Sequence, residues 1–219
     1  MQYYNLTRHN DKTIIFSGRY NSFIECLEDA VTKNIDLSYI DLRNKNLTNA
    51  ELDSARMKKA SFTGANLSGA NLSESILSGS VFYNASLYNT CMCHSNLNMC
   101  DFRDASFGGT LIEGSDIRES MFSTLSCFDL DFHNASDMYG CLFATPDGAL
   151  HAMSRRPIVL RGLVNVPIII LDNTIKIDFR TFPKSILPKL MNMIKLQSMQ
   201  SLSNLQNNAP IQKKPEKLA

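Results

Sequence analysis

The sequence predicts an all-β solenoid, on three observations. From Ile35 onward a large apolar residue recurs at every fifth position: Leu37, Leu42, Leu47, Leu52, Met57, Phe62, Leu67, Leu72, Leu77, Phe82, and so on to Phe122. Two residues before most of these centres sits something small, as at Ala50, Ala55, Ala60, Ala65, Ala70, Ser75, Ser80 and Ala85. The fifth position of each pentad is rich in Gly, Asn, Ser and Asp, the residues that suit tight turns.

A hairpin comes first in the chain. "QYYNLT" and "KTIIFSG" flank "RHND" and read as two short strands around a turn. In "NSFIECLEDAVTKN", Ser22 with Glu25 three residues later reads as a capping box. Phe23, Leu27, Ala30 and Val31 then line one helical face, and Asn34 is the stop. Residues 1–34 are thus expected to cap the solenoid, because a stacked coil exposes its core at both ends.

Residues 35–144 hold the pentads. Centres five apart would step by about 140° around a helix and form no stripe. On a strand, odd spacing would send alternate centres to opposite faces. A coil that turns through about 90° per pentad sends every centre to one axis, so four pentads make one square coil. The phase continues through Cys127, Phe132, Asp137 and Leu142, giving 22 pentads without an insertion. One face is expected to stack Leu42, Phe62, Phe82, Phe102, Phe122 and Leu142, with the four phenylalanines as a core ladder. Leu125 and Leu130 are too large for the small position, so the coil is expected to loosen after about residue 124 and to end near Ala144.

"ANLSG" and "ANLSE" match A(D/N)LXX, and at this point the chain resembles the pentapeptide-repeat family. The resemblance covers residues 35–144 and implies a right-handed quadrilateral β-helix. At 20 residues per coil that is about 5.5 coils, about 26 Å long at the spacing of paired strands. The leader of hairpin and helix is similar to that of pentapeptide proteins carried by phages and prophages. So is the β segment after the coil, although Asp178-Phe179 stands where that pattern has Gly-Cys.

Residues 145–182 form that segment. "TPDGA" is a turn, "RPIVLRGL" and "VPIIILDNTIKIDF" read as strands, and Asp172-Asn173 is the turn within the second. Residues 183–219 complete a small C-terminal α+β appendage, with a helix over about 188–197 and then a polar tail rich in Lys and Pro.

The net charge of +1 conceals a segregation: the coil carries 7 basic and 13 acidic groups, residues 145–219 carry 11 and 4. The basic charges are spread and little interleaved with aromatics, so direct nucleic-acid binding is not expected. No apolar run reaches the roughly 18 residues of a membrane helix. The start has no apolar stretch of a secretory signal, and Cys26, Cys91, Cys93, Cys100, Cys127 and Cys141 read as reduced thiols of a cytoplasmic protein. Cys91, Cys93, His94 and Cys100 are the candidate metal ligands. In the coil the first two point outward and Cys100 points inward elsewhere, so no tetrahedral site, metal or cofactor is expected. No residue set reads as catalytic. His133 beside Asp129 and Asp131 is expected at a solvated corner.

These readings give a non-enzymatic protein-binding rod with a protein partner, in the host cytoplasm if the chain is phage-encoded; homo-oligomerisation through the C-terminal region stays open. The resemblance implies an alternative. Some family members resist fluoroquinolones by mimicking duplex DNA and binding gyrase. That role would require Asp36, Glu51, Asp53, Glu74, Asp101, Asp104, Asp116 and Glu119 to form two phosphate-like rows.

Overall fold

The computed structural model describes residues 1–145, 147–152, 157–160, 168–177 and 180–195, apart from the side chains of Leu125 and Cys127. It divides into two units, Met1–Val159 and Leu160–Ala219.

The first unit opens with β1 (Gln2–Thr7) and β2 (Ile14–Tyr20), paired antiparallel. Helix α1 (Phe23–Thr32) comes next. Ser22 caps it, its hydroxyl accepting the Glu25 N–H, while the Glu25 carboxylate reaches back to the Asn21 N–H. Cys26, Leu27 and Ala30 are buried; Phe23 and Val31 are half-buried. Asn34 takes a left-handed conformation (φ 52°) and ends the helix. The strand β1 then closes the first coil: Asp41 N–H donates to Thr7 O, His9 N–H donates to Tyr39 O, and Arg8 bridges Ile40.

From there the backbone repeats every 20 residues. Parallel bridges join Asp41 to Ser61, Ser61 to Val81 and Val81 to Asp101, and three further columns run through Asn46, Glu51 and Arg56. The first column ends in two short strands, β3 (Asp101–Phe102) and β4 (Met121–Ser123). Most pentads account for their N–H groups in one recurring way. The second and third residues donate to neighbouring coils, as Ser61 to Ile40 O and Phe62 to Val81 O, and so does the fifth, as Gly64 to Tyr83 O. The next pentad's first residue closes a turn, as Ala65 to Phe62 O. Where position two is Asn or Asp, its side chain takes the fourth N–H, as Asn66 Oδ1 takes the Ser68 N–H and Asp101 Oδ1 takes the Arg103 N–H. This accounting explains the second letter of A(D/N)LXX.

The fifth position carries a positive φ at corner after corner, including Asn44 (55°), Asn49 (57°) and Gly69 (73°). A negative then a positive φ is the type II turn, hence the Gly and Asn found there. A Cβ at Gly69 would also run into Asn49 Oδ1 of the preceding coil.

The first and third positions point inward. Leu67, Leu72, Leu77, Leu87, Met92 and Leu97 are fully buried, and so are Ala60, Ser75, Ser80 and Thr90. The hydroxyls among the small residues tie the coils together. Ser95 Oγ donates to Leu72 O at 2.6 Å and accepts the Ser75 N–H at 3.2 Å. Ser80, Thr90 and Ser120 make the same bond to Met57, Leu67 and Leu97 carbonyls. Ser95→Ala is expected to lose about 1 kcal/mol, the net worth of a buried hydrogen bond; a denaturant melt unchanged from the parent would show that the hydroxyl contributes nothing.

The unbroken phase expected through Asp137 and Leu142 is corrected by the structure. Beyond β4, residues Thr124–Phe128 turn as a 3-10 helix, Phe132 and Ala135 stay buried in the original phase, and from Asp137 the pairing runs one residue late. Asp116 bridges Asp137, and Met121 pairs with Leu142 in β5 (Leu142–Ala144), an offset of 21 in place of 20. The inward residues are therefore Met138, Cys141 and Phe143, while Asp137 and Leu142 turn partly outward. The physical reason is that the slip buries Met138 in place of a carboxylate. It also continues the aromatic stack. Leu130 is buried, and the expectations placed on Leu125 and Cys127 lie outside the described side chains. The strand β6 (Leu150–Ala152) returns antiparallel on β5.

The second unit carries a sheet of order β10-β9-β8-β7, formed by β7 (Ile158–Leu160, which spans the boundary), β8 (Ile168–Ile170), β9 (Thr174–Ile177) and β10 (Arg180–Pro183). Asp172-Asn173 makes the turn between β8 and β9, with Leu171 N–H bonded to Thr174 O. Residues 187–195 are helical, and Ile194 packs with Ile168, Ile170 and Ile175. The remainder of the helix expected to 197, the tail and Phe179 lie outside the described residues. Among the described residues no helix is long and apolar enough to cross a membrane.

Candidate functional site

The four ladder phenylalanines lie ring on ring. Centroids are 4.6 Å apart for Phe62 and Phe82, 4.8 Å for Phe82 and Phe102, and 5.0 Å for Phe102 and Phe122, with interplanar angles of 4°, 8° and 8°. The separations match the roughly 4.8 Å between paired strands, so the backbone ladder sets the stacking. Phe143 extends it at 5.7 Å from Phe122, and Phe132 meets both edge-on. This column is the interior on which the outer surface is mounted.

The outer surface consists of positions two, four and five. The eight acidic candidates are distributed over three of its four sides. Glu51, Asp53 and Glu74 share the side whose column runs Glu51, Asn71, Cys91, Leu111. Asp116 and Glu119 lie on the side of Arg56, Ile76 and Asn96, and Asp36 is there too, since the next residue, Leu37, bonds Arg56 O. Asp101 and Asp104 occupy a third side, above Asp41, Ser61 and Val81. The side of Asn46, Asn66, Ser86 and Ser106 holds none of the eight.

Several of these carboxylates have internal work. Asp101 is gripped by Arg103, with Nε to Oδ1 at 2.9 Å and Nη2 to Oδ2 at 2.7 Å. Arg118 holds Asp116 in the same fork at 2.9 and 2.6 Å, and Arg43 holds Asp41 at 2.7 Å twice. Asp36 lies 3.9 Å from Arg56 and accepts from Ser38. Glu51 accepts from Asn71, and Asp104 accepts from the Ser123 hydroxyl. Position two and position four point the same way from a strand, so Asp-x-Arg places its partners together. The sequence carries that signal, and a count of charges passes over it. The hydroxyl ties of the inward Ser and Thr escape a sequence reading for a similar reason, when a small residue is judged by its size alone.

The Arg43 guanidinium holds the Asp41 carboxyl well below the usual carboxylate range, and Arg118 lowers that of Asp116. Depressed folded values stabilise the protein at pH above the unfolded carboxylate value of about 3.9. This stabilisation is expected to fade as pH falls below about 4. Melting temperatures measured from pH 7 to pH 2.5 should drop in that window, and less in an Asp41→Asn, Asp116→Asn double variant.

Two adjoining clefts open around Asp104 and Ser123. One, of about 340 Å³, is lined by Tyr83, Arg103, Asp104, Ser123, Thr124, Ala144, Thr145 and Gly148. The other, of about 320 Å³, includes Tyr88, Asp104, Phe107, Ser123, Ser126 and Asp129. They share Asp104 and Ser123, and each is flanked by a tyrosine that is exposed, Tyr83 at 42% and Tyr88 at 48%.

The thiols separate by position. Cys91 and Cys93 flank buried Met92, face outward and bring their sulfurs to 3.4 Å. Cys100 is inward on another column, where its thiol donates to Leu77 O and burial pushes its pKa up to about 12. Cys100 therefore does not converge with the pair. Among the described residues no three His, Cys, Asp or Glu side chains gather as metal ligands. His133 sits on a 3-10 turn with its N–H on Asp131 Oδ1.

The family described as pentapeptide repeats matches eight copies, over residues 33–69 and 60–98. Among solved structures, the pentapeptide repeat protein Rfr23 from the cyanobacterium Cyanothece 51142 is 19% identical, over 38% of this chain and 57% of that one, with a TM-score of 0.37. HetL from Nostoc sp. strain PCC 7120, a pentapeptide repeat protein involved in heterocyst differentiation regulation, is 23% identical over 51% and 64%, with a TM-score of 0.24. QnrB1, a plasmid-mediated fluoroquinolone resistance protein, is 22% identical over 49% and 60%, with a TM-score of 0.23. The matched part of the chain spans less than two thirds of each of these proteins. No curated protein matches the sequence. Eight pentapeptide repeats are thus matched within residues 33–98, and the same five-residue backbone lattice runs on to Ser120.

Proposed function

We propose that this chain is a non-enzymatic, protein-binding rod: a right-handed quadrilateral β-helix of about 5.5 coils whose outer face docks a protein partner in the cytoplasm. The observation that carries the reading is the division of pentad after pentad into two filled inward positions and three outward ones held by the backbone ladder. Such a lattice presents side chains rigidly, so little ordering entropy opposes a partner. The paired clefts around Asp104 and Ser123 are the favoured docking surface. Tyr83, Tyr88 and Arg103 are of the types that dominate binding energy in protein interfaces. If the chain is phage-encoded, the partner is a host protein.

The test is affinity capture from host lysate with the parent and with a Tyr83→Ala, Tyr88→Ala double variant. Both should melt alike, because the two rings are half in solvent. A protein captured by the parent and lost from the variant supports the surface. Capture unaltered by the variant moves the site elsewhere on the coil.

The excess of acid over base in residues 35–144 favours a second reading, modulation of gyrase by duplex mimicry. Against it stand the scatter of acidic groups over three sides and the arginine forks on Asp101 and Asp116. A phosphate mimic requires steep weakening with salt. The full chain is expected to inhibit gyrase little in a supercoiling assay. Potent inhibition abolished by Asp101→Lys and Asp104→Lys would put this reading first.

A further inference from the structure

Two thiols of the coil have no part in the core packing or in the docking surface. Cys91 and Cys93 occupy positions two and four of one pentad. Met92 between them is fully buried, so both sulfurs stand on the outer side of the same strand. Their Sγ atoms are 3.4 Å apart, with the Cys91 thiol donating to Cys93, and Ser73 Oγ lies 3.6 Å from Cys91 Sγ. The backbone beneath is fixed on both edges. Cys91 N–H bonds Ala70 O, Met92 N–H bonds Leu111 O, and the Cys91 and Cys93 carbonyls accept from Leu72 and Glu74.

We propose that Cys91 and Cys93 form a reactive dithiol that a small-molecule disulfide of the glutathione type oxidises reversibly to an intramolecular Cys91–Cys93 disulfide. The Cys91 thiolate attacks the small disulfide, forming a mixed disulfide and expelling one thiolate. The Cys93 thiolate then attacks the Cys91 sulfur, closes the ring and expels the second. Two cysteine thiols give up two electrons and two protons, and one small disulfide becomes two thiols. Closure leaves the core packing in place, because both residues point away from it, but must draw the two Cβ atoms together.

The chemistry of the two groups is graded in the required order. Burial pushes the Cys91 thiol up, but the Cys93 N–H, the Ser73 hydroxyl and the Cys93 thiol outweigh it, and the net shift is downward. Cys93 is pushed up by burial and by its neighbour. Cys91 is thus the attacking group and Cys93 the resolving one. Cys100 and Cys141 are buried with pKa values raised to about 12, so they stay protonated and shielded. The lattice also keeps the disulfide labile. Residues two apart on a strand have Cα atoms about 6.6 Å apart, the upper end of what a disulfide spans. A strained, exposed disulfide is readily reduced again.

The experiment treats the reduced, folded full chain with oxidised glutathione in rising excess, quenches with an alkylating reagent and maps the peptides by mass spectrometry. The expected product lacks two hydrogens between residues 91 and 93, reverts with dithiothreitol, and forms at least about tenfold faster than Cys100 reacts. Cys100→Ser should form it equally well. Cys91→Ser and Cys93→Ser should each leave a lasting glutathione adduct on the remaining thiol. A parent protein that stays alkylated at both positions, or that holds a stable adduct on either without closing the ring, overturns the proposal. The readout on the parent alone decides the matter if a variant folds poorly.

Discussion

Phe102→Ala is expected to cost about 3–5 kcal/mol, the range for removing a buried aromatic ring. Phe102 lies between Phe82 and Phe122, at 4.8 and 5.0 Å, and Phe107 tilts against it at 6.1 Å. Removing this ring takes a partner from each neighbour. The hole cannot collapse easily, because every wall is hydrogen-bonded to the coil before and after it. Phe82 N–H bonds Asp101 O, and Asp101 N–H bonds Ser80 O, which holds that side of the coil at the strand spacing. The cavity term should therefore sit toward the upper part of the range. Tyr83→Ala, next in sequence to Phe82 but turned outward, should change stability by less than about 0.5 kcal/mol. Paired denaturant melts give both values. A Phe102→Ala loss as small as that of Tyr83→Ala would mean that the ring is not a core centre.

The coil was legible because its signals are redundant. The large centre, the small residue two before it and the turn former at the fifth position each have a separate physical cause, and they reinforce one another in many of the pentads from Leu52 to Phe122. The late slip was harder to read. "GCLFA" offers two consecutive apolar residues, and either Leu142 or Phe143 can serve as a centre. The usable signal lay earlier: a carboxylate at a supposed centre, Asp137, stands beside Met138. An inward carboxylate with no partner costs far more than a one-residue insertion in a turn. The extra residue falls between the buried centres Phe132 and Met138, six positions apart, and Phe143 then continues the stack.

The candidate surface was legible only as residue types. A count of acidic groups does not reveal that Asp101 and Asp116 serve twice. Each accepts the N–H of position four and also holds the arginine of that position. Those duties are local and follow from the pentad phase, so the phase itself would have exposed them. The clefts at Asp104 and Ser123 arise where the coil departs from its period, and no period predicts their shape.

Size selection at the first position leads to the second large effect. Ala70 is 1% exposed, in a column with Ala50, Thr90 and Thr110. Thr90 and Thr110 donate there to Leu67 and Leu87 carbonyls, 23 residues back in each case. By the same offset Ala70→Ser would bring a hydroxyl to Leu47 O, in a place already shaped for one, and should leave stability within about 0.5 kcal/mol of the parent or raise it. Ala70→Leu adds three carbons at a point where Leu67 and Leu72 already fill the axis. Overpacking costs typically 1–3 kcal/mol, and the upper end, about 3, is expected. The reason is that relief would require a coil to move away from its neighbour. Asn71 N–H to Ala50 O at 2.9 Å and Cys91 N–H to Ala70 O at 3.0 Å oppose that movement on both sides. The pair of substitutions separates size from polarity at one site. If Ala70→Leu melts like the parent, the first position tolerates bulk, and its small residues reflect turn preference alone. If Ala70→Ser falls as far as Ala70→Leu, the hydroxyl does not find the carbonyl, and the tie between coils does not extend to this column's start.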